Sequence, residues 1–337
     1  MTGMPDYLKL LLQRKDLTFD QACDLLDAVF TGEVPPAQIA AFLTAMHIKG
    51  AVPAELAGLA SSLRRHAVRV DPGIDNLIDT CGTGGARLKT FNISTAAALV
   101  AAGAGAFVAK HGNRGITSPC GSADVLAALG VNIDPGPERV AECIRTARIG
   151  FMFAPKFHPA MKYVQPVRKE LPCRTVFNIL GPLANPAGAC AQVMGVPDES
   201  LMQPIAETLR QLGVKRAMVV HSDGLDEIST LGPTKILHLV VGRITSATLD
   251  CADYDMAADF EQLRGGSAET NAAIIRDILD GRDTGPRRDV VVLNAAAALI
   301  VAGLADDFGS ALPLADKAVA DGKAAQALRK LIEISND

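Results

Sequence analysis

The chain has 337 residues, 49% of them hydrophobic and 21% charged, with a formal net charge of −4. That is enough chain for one large domain or two unequal ones, and its acidic balance argues against bulk binding to nucleic acid, whose phosphates need a basic face. With no Trp and three Tyr, base-stacking platforms are not expected either.

The first fifteen residues carry charges throughout and show no leader pattern. The longest apolar stretch, 14 residues from Ala96 to Ala109, falls short of the ~20 needed to cross a bilayer. The seven cysteines are odd in number and form no C-x-x-C pair, which fits a reducing compartment. A cytoplasmic protein with no membrane or nucleic-acid partner is expected.

Residues 4 to about 66 read as helices. Leu8, Leu11 and Leu12 recur at helical spacing, as do Ala22, Leu25, Leu26 and Val29. Thr18 and Gln21 make a capping-box pattern. Pro35-Pro36 and Pro53 open two further helices. No strand signal precedes residue 77. From there β and α segments alternate. Strands are expected at 77–80, 106–109, 150–153, 192–196, 217–221 and 236–241, with an extended segment at 131–133. Helices are expected at 94–102, 124–129, 138–148, 201–212, 271–279 and 289–302, and helical character at 158–175. Residues 177–180 lead into a Pro/Gly-rich turn. This order predicts an α/β fold with a mostly parallel sheet and an appended small N-terminal helical domain.

Four elements carry chemistry. Gly82-Thr83-Gly84-Gly85 follows the first strand with little side-chain bulk, so its N–H groups can close on an anion. Alone it also fits any tight strand-to-helix turn. Asn92, Ser94 and Thr95 add donors at the next helix start. Lys110-His111-Gly112-Asn113-Arg114 follows a buried strand and brings a cation, an imidazole and an amide into one short loop. Strand carboxyl ends are where ligands bind in open α/β sheets. Thr117, Ser118, Gly121 and Ser122 continue into a second hydroxyl-rich helix start. Asp226 and Glu227 are hard oxygen ligands that could share Mg²⁺ with a substrate diphosphate, or equally a turn with a helix-capping Asp. Arg168 and Arg174 carry forks that match planar carboxylates, though either alone fits a solvated or salt-bridged arginine. The pattern points to a phosphorylated, strongly anionic small molecule.

These elements, in this order, resemble the anthranilate phosphoribosyltransferase family over nearly the whole chain. The matching segments are 90–95, 110–114, 121–126, 158–162, 174–178, 181–183, 223–227 and 293–297. The resemblance implies a helical domain at residues 1–70, with a contribution from about 160–190, and a large α/β domain at 71–337 of the nucleoside phosphorylase and phosphoribosyltransferase type. It implies a homodimer, and the joining of anthranilate to 5-phosphoribosyl 1-diphosphate with release of pyrophosphate in tryptophan biosynthesis. Carried onto this sequence, it gives Gly82, Thr83, Gly84, Gly85, Thr90, Asn92, Ser94, Thr95, Lys110, Ser118 and Ser122 to the sugar diphosphate. It gives Gly82, His111, Asn113, Arg168 and Pro182 to anthranilate, with Arg168 on the carboxylate. His111 and Asn113 are the catalytic candidates, orienting the amine. Ser94, Asp226 and Glu227 would place Mg²⁺, and Phe153 would sit at the hinge between domains.

The sequence departs from the family in two places. Ala86 and Arg87 stand where the family turn has Asp-Gly, which removes an acid near the diphosphate and adds a cation. Arg87 is therefore expected to contact a substrate phosphate or carboxylate, or else to face solvent. Pro172 stands where glycine is usual, between Arg168 and Arg174. Two alternatives follow: a related phosphoribosyltransferase or phosphorylase with another acceptor, and a non-catalytic relative that binds nucleic acid. Arg168 and the Lys110–Asn113 segment weigh against a phosphorylase. Asp226, Glu227 and the acidic balance weigh against a nucleic-acid binder.

Overall fold

Four helices come before any strand, and their starts are visible in the sequence. They are α1 (Met4–Leu12), α2 (Phe19–Phe30), α3 (Pro36–Lys49) and α4 (Pro53–Arg65). Thr18 caps α2: its hydroxyl accepts from the Gln21 N–H at 3.2 Å, and Gln21 Oε1 accepts from the Thr18 N–H at 3.0 Å. Proline in the first turn of α1, α3 and α4 loses no helical bond, because those N–H groups have no intrahelical partner. The computed structural model describes residues 3–115 and 119–337.

The remainder alternates. In chain order it runs β1 (Leu77–Gly82), α5 (Ile93–Gly103), β2 (Phe107–Gly112), α6 (Ser122–Ala128), α7 (Pro137–Ala147), β3 (Ile149–Phe153), α8 (Ala154–Phe157), α9 (Gln165–Glu170) and α10 (Phe177–Leu183). It continues through β4 (Ala191–Gly195), α11 (Met202–Gln211), β5 (Arg216–Ser222), β6 (Thr234–Val240), β7 (Arg243–Leu249), α12 (Phe260–Leu263), α13 (Ala268–Leu279), α14 (Pro286–Val301), α15 (Phe308–Ala320) and α16 (Lys323–Asn336).

One sheet has the order β3-β2-β1-β4-β5-β6-β7. The strands from β3 to β5 are parallel, and β6 and β7 are antiparallel. The chain winds from β1 outward to β3, then returns to the other side of β1 with β4. The order therefore reverses between β1 and β4, the place in an open α/β sheet where a cleft forms at the strand carboxyl ends.

Three buried clusters cover the two sheet faces, one on the first face and two on the other, as the period of two dictates. Met218 and Val220 of β5 join the cluster built on α5 and α14, while Ala217 and Val219 join a second on the other face. Residues 95–102 of α5 and 290–299 of α14 are buried without interruption, so these helices have no solvent face. The second cluster packs α1–α4 against Val164, Val167, Val176, Phe177 and Leu180, and against α11.

The structure departs from the sequence reading at several elements. Residues 131–133 form no strand: the Val131 N–H donates to Leu126 O at 3.0 Å, folding back on the end of α6. The Pro/Gly-rich turn after Leu180 is instead the last turn of α10, with Pro182 inside it. Lys110 and His111 are the end of β2 rather than a loop. The polar edge strand β7 and the helices α15 and α16 were not foreseen.

Candidate active site

A cavity of about 610 Å³ opens at the reversal point of the sheet. The ends of β1 and β2 form its floor, the Asp226–Glu227 turn lies on one side, and α9 and α10 lie on the other.

The glycine turn is tied to both sides. Gly84 and Gly85 have φ of 67° and 90°, a region that favours glycine. A Cβ at Gly82 would collide with the Asp226 carboxylate, and one at Gly85 with the Arg174 guanidinium. The Gly84 N–H donates to Asp226 Oδ2 at 3.0 Å. Arg174 Nη2 donates to the Thr83 and Gly84 carbonyls, both at 3.1 Å. Arg174 thus shapes the turn, a role that its place beside Arg168 in the sequence did not reveal. Arg87 is exposed and does not line the cavity; its charge acts on Asp198.

Asp226 and Glu227 form the acidic side. Burial pushes both carboxyls above the usual carboxylate range, and the Asp226 charge raises Glu227 further. The Ser94 N–H donates to Glu227 Oε1 at 3.2 Å. The backbone behind the pair is clamped. Ser222 Oγ donates to Glu227 O at 3.0 Å. Asn294, buried on α14, accepts from the Ile228 N–H at 3.0 Å and donates to Ile228 O at 2.8 Å. Asn294 matched a family segment in the sequence, but only the tertiary structure connects it to Glu227. Two carboxylates with raised proton affinity and the Ser94 hydroxyl are a hard donor set. They suit a divalent cation that takes its remaining ligands from substrate and water. Among the described residues no group of three or more His, Cys, Asp or Glu side chains could hold a metal alone.

Lys110 is 2% exposed, and its ammonium donates to Thr80 O at 2.7 Å. Burial lowers its pKa, opposed by the nearby Asp79 charge. Asp79 is itself pushed up to about 6 by burial. It accepts from Asn185 Nδ2 at 2.7 Å.

His111 stands at the opposite end. Burial pulls its pKa down to about 3, and that of His158, 5.0 Å away ring to ring, down to about 4. His111 is therefore neutral at pH 7. Its Nδ1 lies 3.2 Å from the Gly181 carbonyl, which can only accept, so Nδ1 carries the proton and Nε2 a lone pair. Arg168 lies with its guanidinium 5.4 Å from the Phe177 ring and donates to Gln165 Oε1 at 3.3 Å. No carboxylate among the described residues pairs with it. Buried polar atoms on the cavity that have no partner among the described residues include Thr83 Oγ1, Thr95 Oγ1 and His111 Nε2. Buried polar groups are normally paired, so the cavity is shaped for a polar ligand.

The structure brings together Gly82, Thr83, Gly84, Gly85, Asn92, Ser94, Thr95, Lys110, His111, Asn113, Ser122, Arg168, Pro182, Asp226 and Glu227. Thr90 does not line the cavity; its backbone bridges Arg264. The Asn92 amide is held by protein, donating to Cys120 O at 3.2 Å and accepting from Asn271 Nδ2 at 3.0 Å. Ser118 and Thr117 lie outside the described residues. Phe153 ends β3, with the Arg114 guanidinium 5.8 Å from its ring.

Known proteins give the same picture. Residues 74–325 match the glycosyl transferase family a/b domain, and residues 5–67 its helical bundle domain. An anthranilate phosphoribosyltransferase of Herpetosiphon aurantiacus is 52% identical, with 98% of each chain covered. The crystal structure of anthranilate phosphoribosyltransferase from Thermus thermophilus superposes with a TM-score of 0.93 at 41% identity, covering 98% of this chain and 100% of that one. The Saccharomyces cerevisiae enzyme in complex with PRPP and Mg superposes with a TM-score of 0.89 at 25% identity, covering 99% and 98%. The chain belongs to the anthranilate phosphoribosyltransferase family.

Proposed function

We propose that this cavity joins anthranilate to 5-phosphoribosyl 1-diphosphate, forming N-(5-phosphoribosyl)anthranilate and pyrophosphate. The observation that carries this reading is that one cavity presents two opposite recognition chemistries. At one end are Arg168, without a carboxylate partner among the described residues, and the His111 Nε2 lone pair, both lining the cavity. At the other are the glycine turn, Lys110 and the Asp226–Glu227 pair.

Arg168 suits the anthranilate carboxylate, because a guanidinium fork matches its planar oxygens. His111 Nε2 can accept an amine N–H and turn the nitrogen lone pair toward the anomeric carbon. A neutral imidazole does this without removing a proton before attack. The C–N bond forms as the bond to the diphosphate oxygen breaks, pyrophosphate leaves with that electron pair, and the amine proton passes afterwards to the departing pyrophosphate or to solvent. Thr83 and Thr95 hydroxyls and Lys110 line the side where charge develops on the leaving diphosphate. Asp226, Glu227 and Ser94 would hold Mg²⁺, which when bound would neutralise diphosphate charge. Holding both substrates in one cavity supplies orientation, the other large part of the rate.

Three further readings accompany this one. The division into residues 1–70, with support from about 160–190, and 71–337 follows the cluster that packs α1–α4 against α9 and α10. A homodimer is favoured by Leu12, 70% exposed, and Ile48, 59% exposed, on the N-terminal helices. A cytoplasmic location accords with the absence, among the described residues, of a helix long and apolar enough to cross a membrane.

The test is loss of anthranilate fluorescence with 5-phosphoribosyl 1-diphosphate and Mg²⁺, beside Arg168→Ala and Glu227→Ala. Turnover that requires both partners and collapses in both variants is the expected result. No turnover by the wild type would refute the acceptor assignment and direct attention to the Ala86-Arg87 turn.

A further inference from the structure

The last carbonyls of α10 are open to bonds from outside the helix, Gly181 O taking one in addition to the Ala184 N–H at 3.2 Å. Three consecutive ones each meet a side chain from a different element. His111 Nδ1, at the end of β2, donates to Gly181 O at 3.2 Å. Gln192 Nε2, on β4, donates to Pro182 O at 2.8 Å. Arg64 Nε, on α4, donates to Leu183 O at 2.8 Å. Gly181 and Pro182 line the cavity, whereas Gln192 and Arg64 stand behind it.

Phe177, Leu180 and Leu183 bury one face of this helix, but its own backbone holds its C-terminal end weakly. It is seven residues long and carries a proline, so it has few internal bonds. Gln192 is 4% exposed and also donates to Cys81 Sγ at 2.9 Å, the residue before Gly82. One amide thus connects the wall at Pro182 with the start of the glycine turn. Arg64 makes the corresponding connection from the N-terminal helices.

We propose that Gln192 and Arg64 are positioning residues for the acceptor, holding the α10 end, and through Gly181 the His111 ring, at a fixed distance from the glycine turn. The inference rests on the acceptor reading above. Neither residue touches the cavity, so each acts through the α10 carbonyl it holds. Removing the Gln192 donor leaves the Pro182 carbonyl unpaired and frees the wall to shift. A small shift of that wall misplaces the aromatic acid, while the sugar diphosphate, bound to the turn and the acids, stays where it was.

Steady-state kinetics in both substrates, with thermal melting, on wild type, Gln192→Met, Arg64→Met and Arg64→Lys tests this. The KM for anthranilate should rise roughly tenfold in Gln192→Met and severalfold in Arg64→Met, while the KM for the sugar diphosphate stays within about twofold. Arg64→Lys, which keeps a donor, should recover most of the loss. Both KM values moving together, neither moving, or Arg64→Lys behaving like Arg64→Met would overturn the proposal. If Gln192→Met does not fold, the Arg64 pair decides alone by the same criteria. An inactive wild type would refute the acceptor reading itself. An active wild type with unmoved variants would refute only the positioning role.

Discussion

The two ends of the cavity are built in different ways. The diphosphate end is built at strand ends: a glycine turn after β1, the tip of β2, and an acid pair whose main chain is clamped by Ser222 and Asn294. The acceptor end is made from side chains on short helices, α9 and α10, whose places are set by packing and by bonds from distant elements. The turn is strict about geometry, since Gly84 and Gly85 hold positive φ and a Cβ at Gly82 or Gly85 would displace the Asp226 carboxylate or the Arg174 guanidinium. A side-chain-built site can be retuned one residue at a time, so acceptor preference can change while the diphosphate end stays the same.

The contrast predicts unequal losses. Glu227→Gln removes a carboxylate from the acid pair and should lower kcat/KM by about 10³, with a weaker response to added Mg²⁺. A loss under about tenfold in steady-state assays would remove the pair from the mechanism. Arg168→Ala should raise the KM for anthranilate by about 10² while leaving that for the sugar diphosphate within about twofold. Equal effects on both would erase the distinction between the two ends.

Asn294→Leu tests the support of the acid side. It leaves the Ile228 N–H and C=O without the partners they now have at 3.0 and 2.8 Å. Unfolding in urea should show a loss of about 2–3 kcal/mol, with reduced Mg²⁺ affinity in the folded fraction. Unchanged Mg²⁺ dependence would confine Asn294 to stability.

A smaller effect follows from the buried histidines. The pKa of His158 falls from 6.5 to about 4 on folding, because burial disfavours its charged form. The unfolded chain therefore binds the extra proton between those values. The contribution of neutral His158 is whole above pH 6.5 and is lost as pH falls toward 4. Asp79, raised from 3.8 to about 6, acts in the opposite sense: its contribution is lost as pH rises across that interval. The two overlap in wild type, so the difference from His158→Asn isolates the histidine. The stability difference should change by up to ~1.4 kcal/mol per pH unit between pH 6.5 and 4 and be flat above it. A parallel pair of profiles would mean that His158 is not buried neutral.

The smallest effect belongs to Arg87. It is exposed and outside the lining, so Arg87→Ala should leave both KM values within about twofold. A larger rise in the KM of the sugar diphosphate would show that the turn closes on substrate and would place Arg87 at the diphosphate end.

The chain sequence by itself determined the helix starts, the buried α5 and α14, and the main strand positions, because caps, prolines and unbroken apolar runs act over a few residues. It marked most of the diphosphate end for the same reason: a glycine turn and an acid pair are local patterns. It missed β7 because an edge strand needs no apolar run, and it misread 181–183 because a proline and a glycine locally resemble a turn. Only the tertiary structure decided that α10 stays helical through Pro182, held by Arg64, His111 and Gln192 from 119, 70 and 10 residues away. It alone joined Asn294 to the backbone beside Glu227, 66 residues earlier. It also turned Arg87 away from the cavity and Arg174 toward the turn. Apart from the Gln192 bond, those are long-range pairings, fixed by which faces the sheet and helices bury, and no short window of sequence contains both partners.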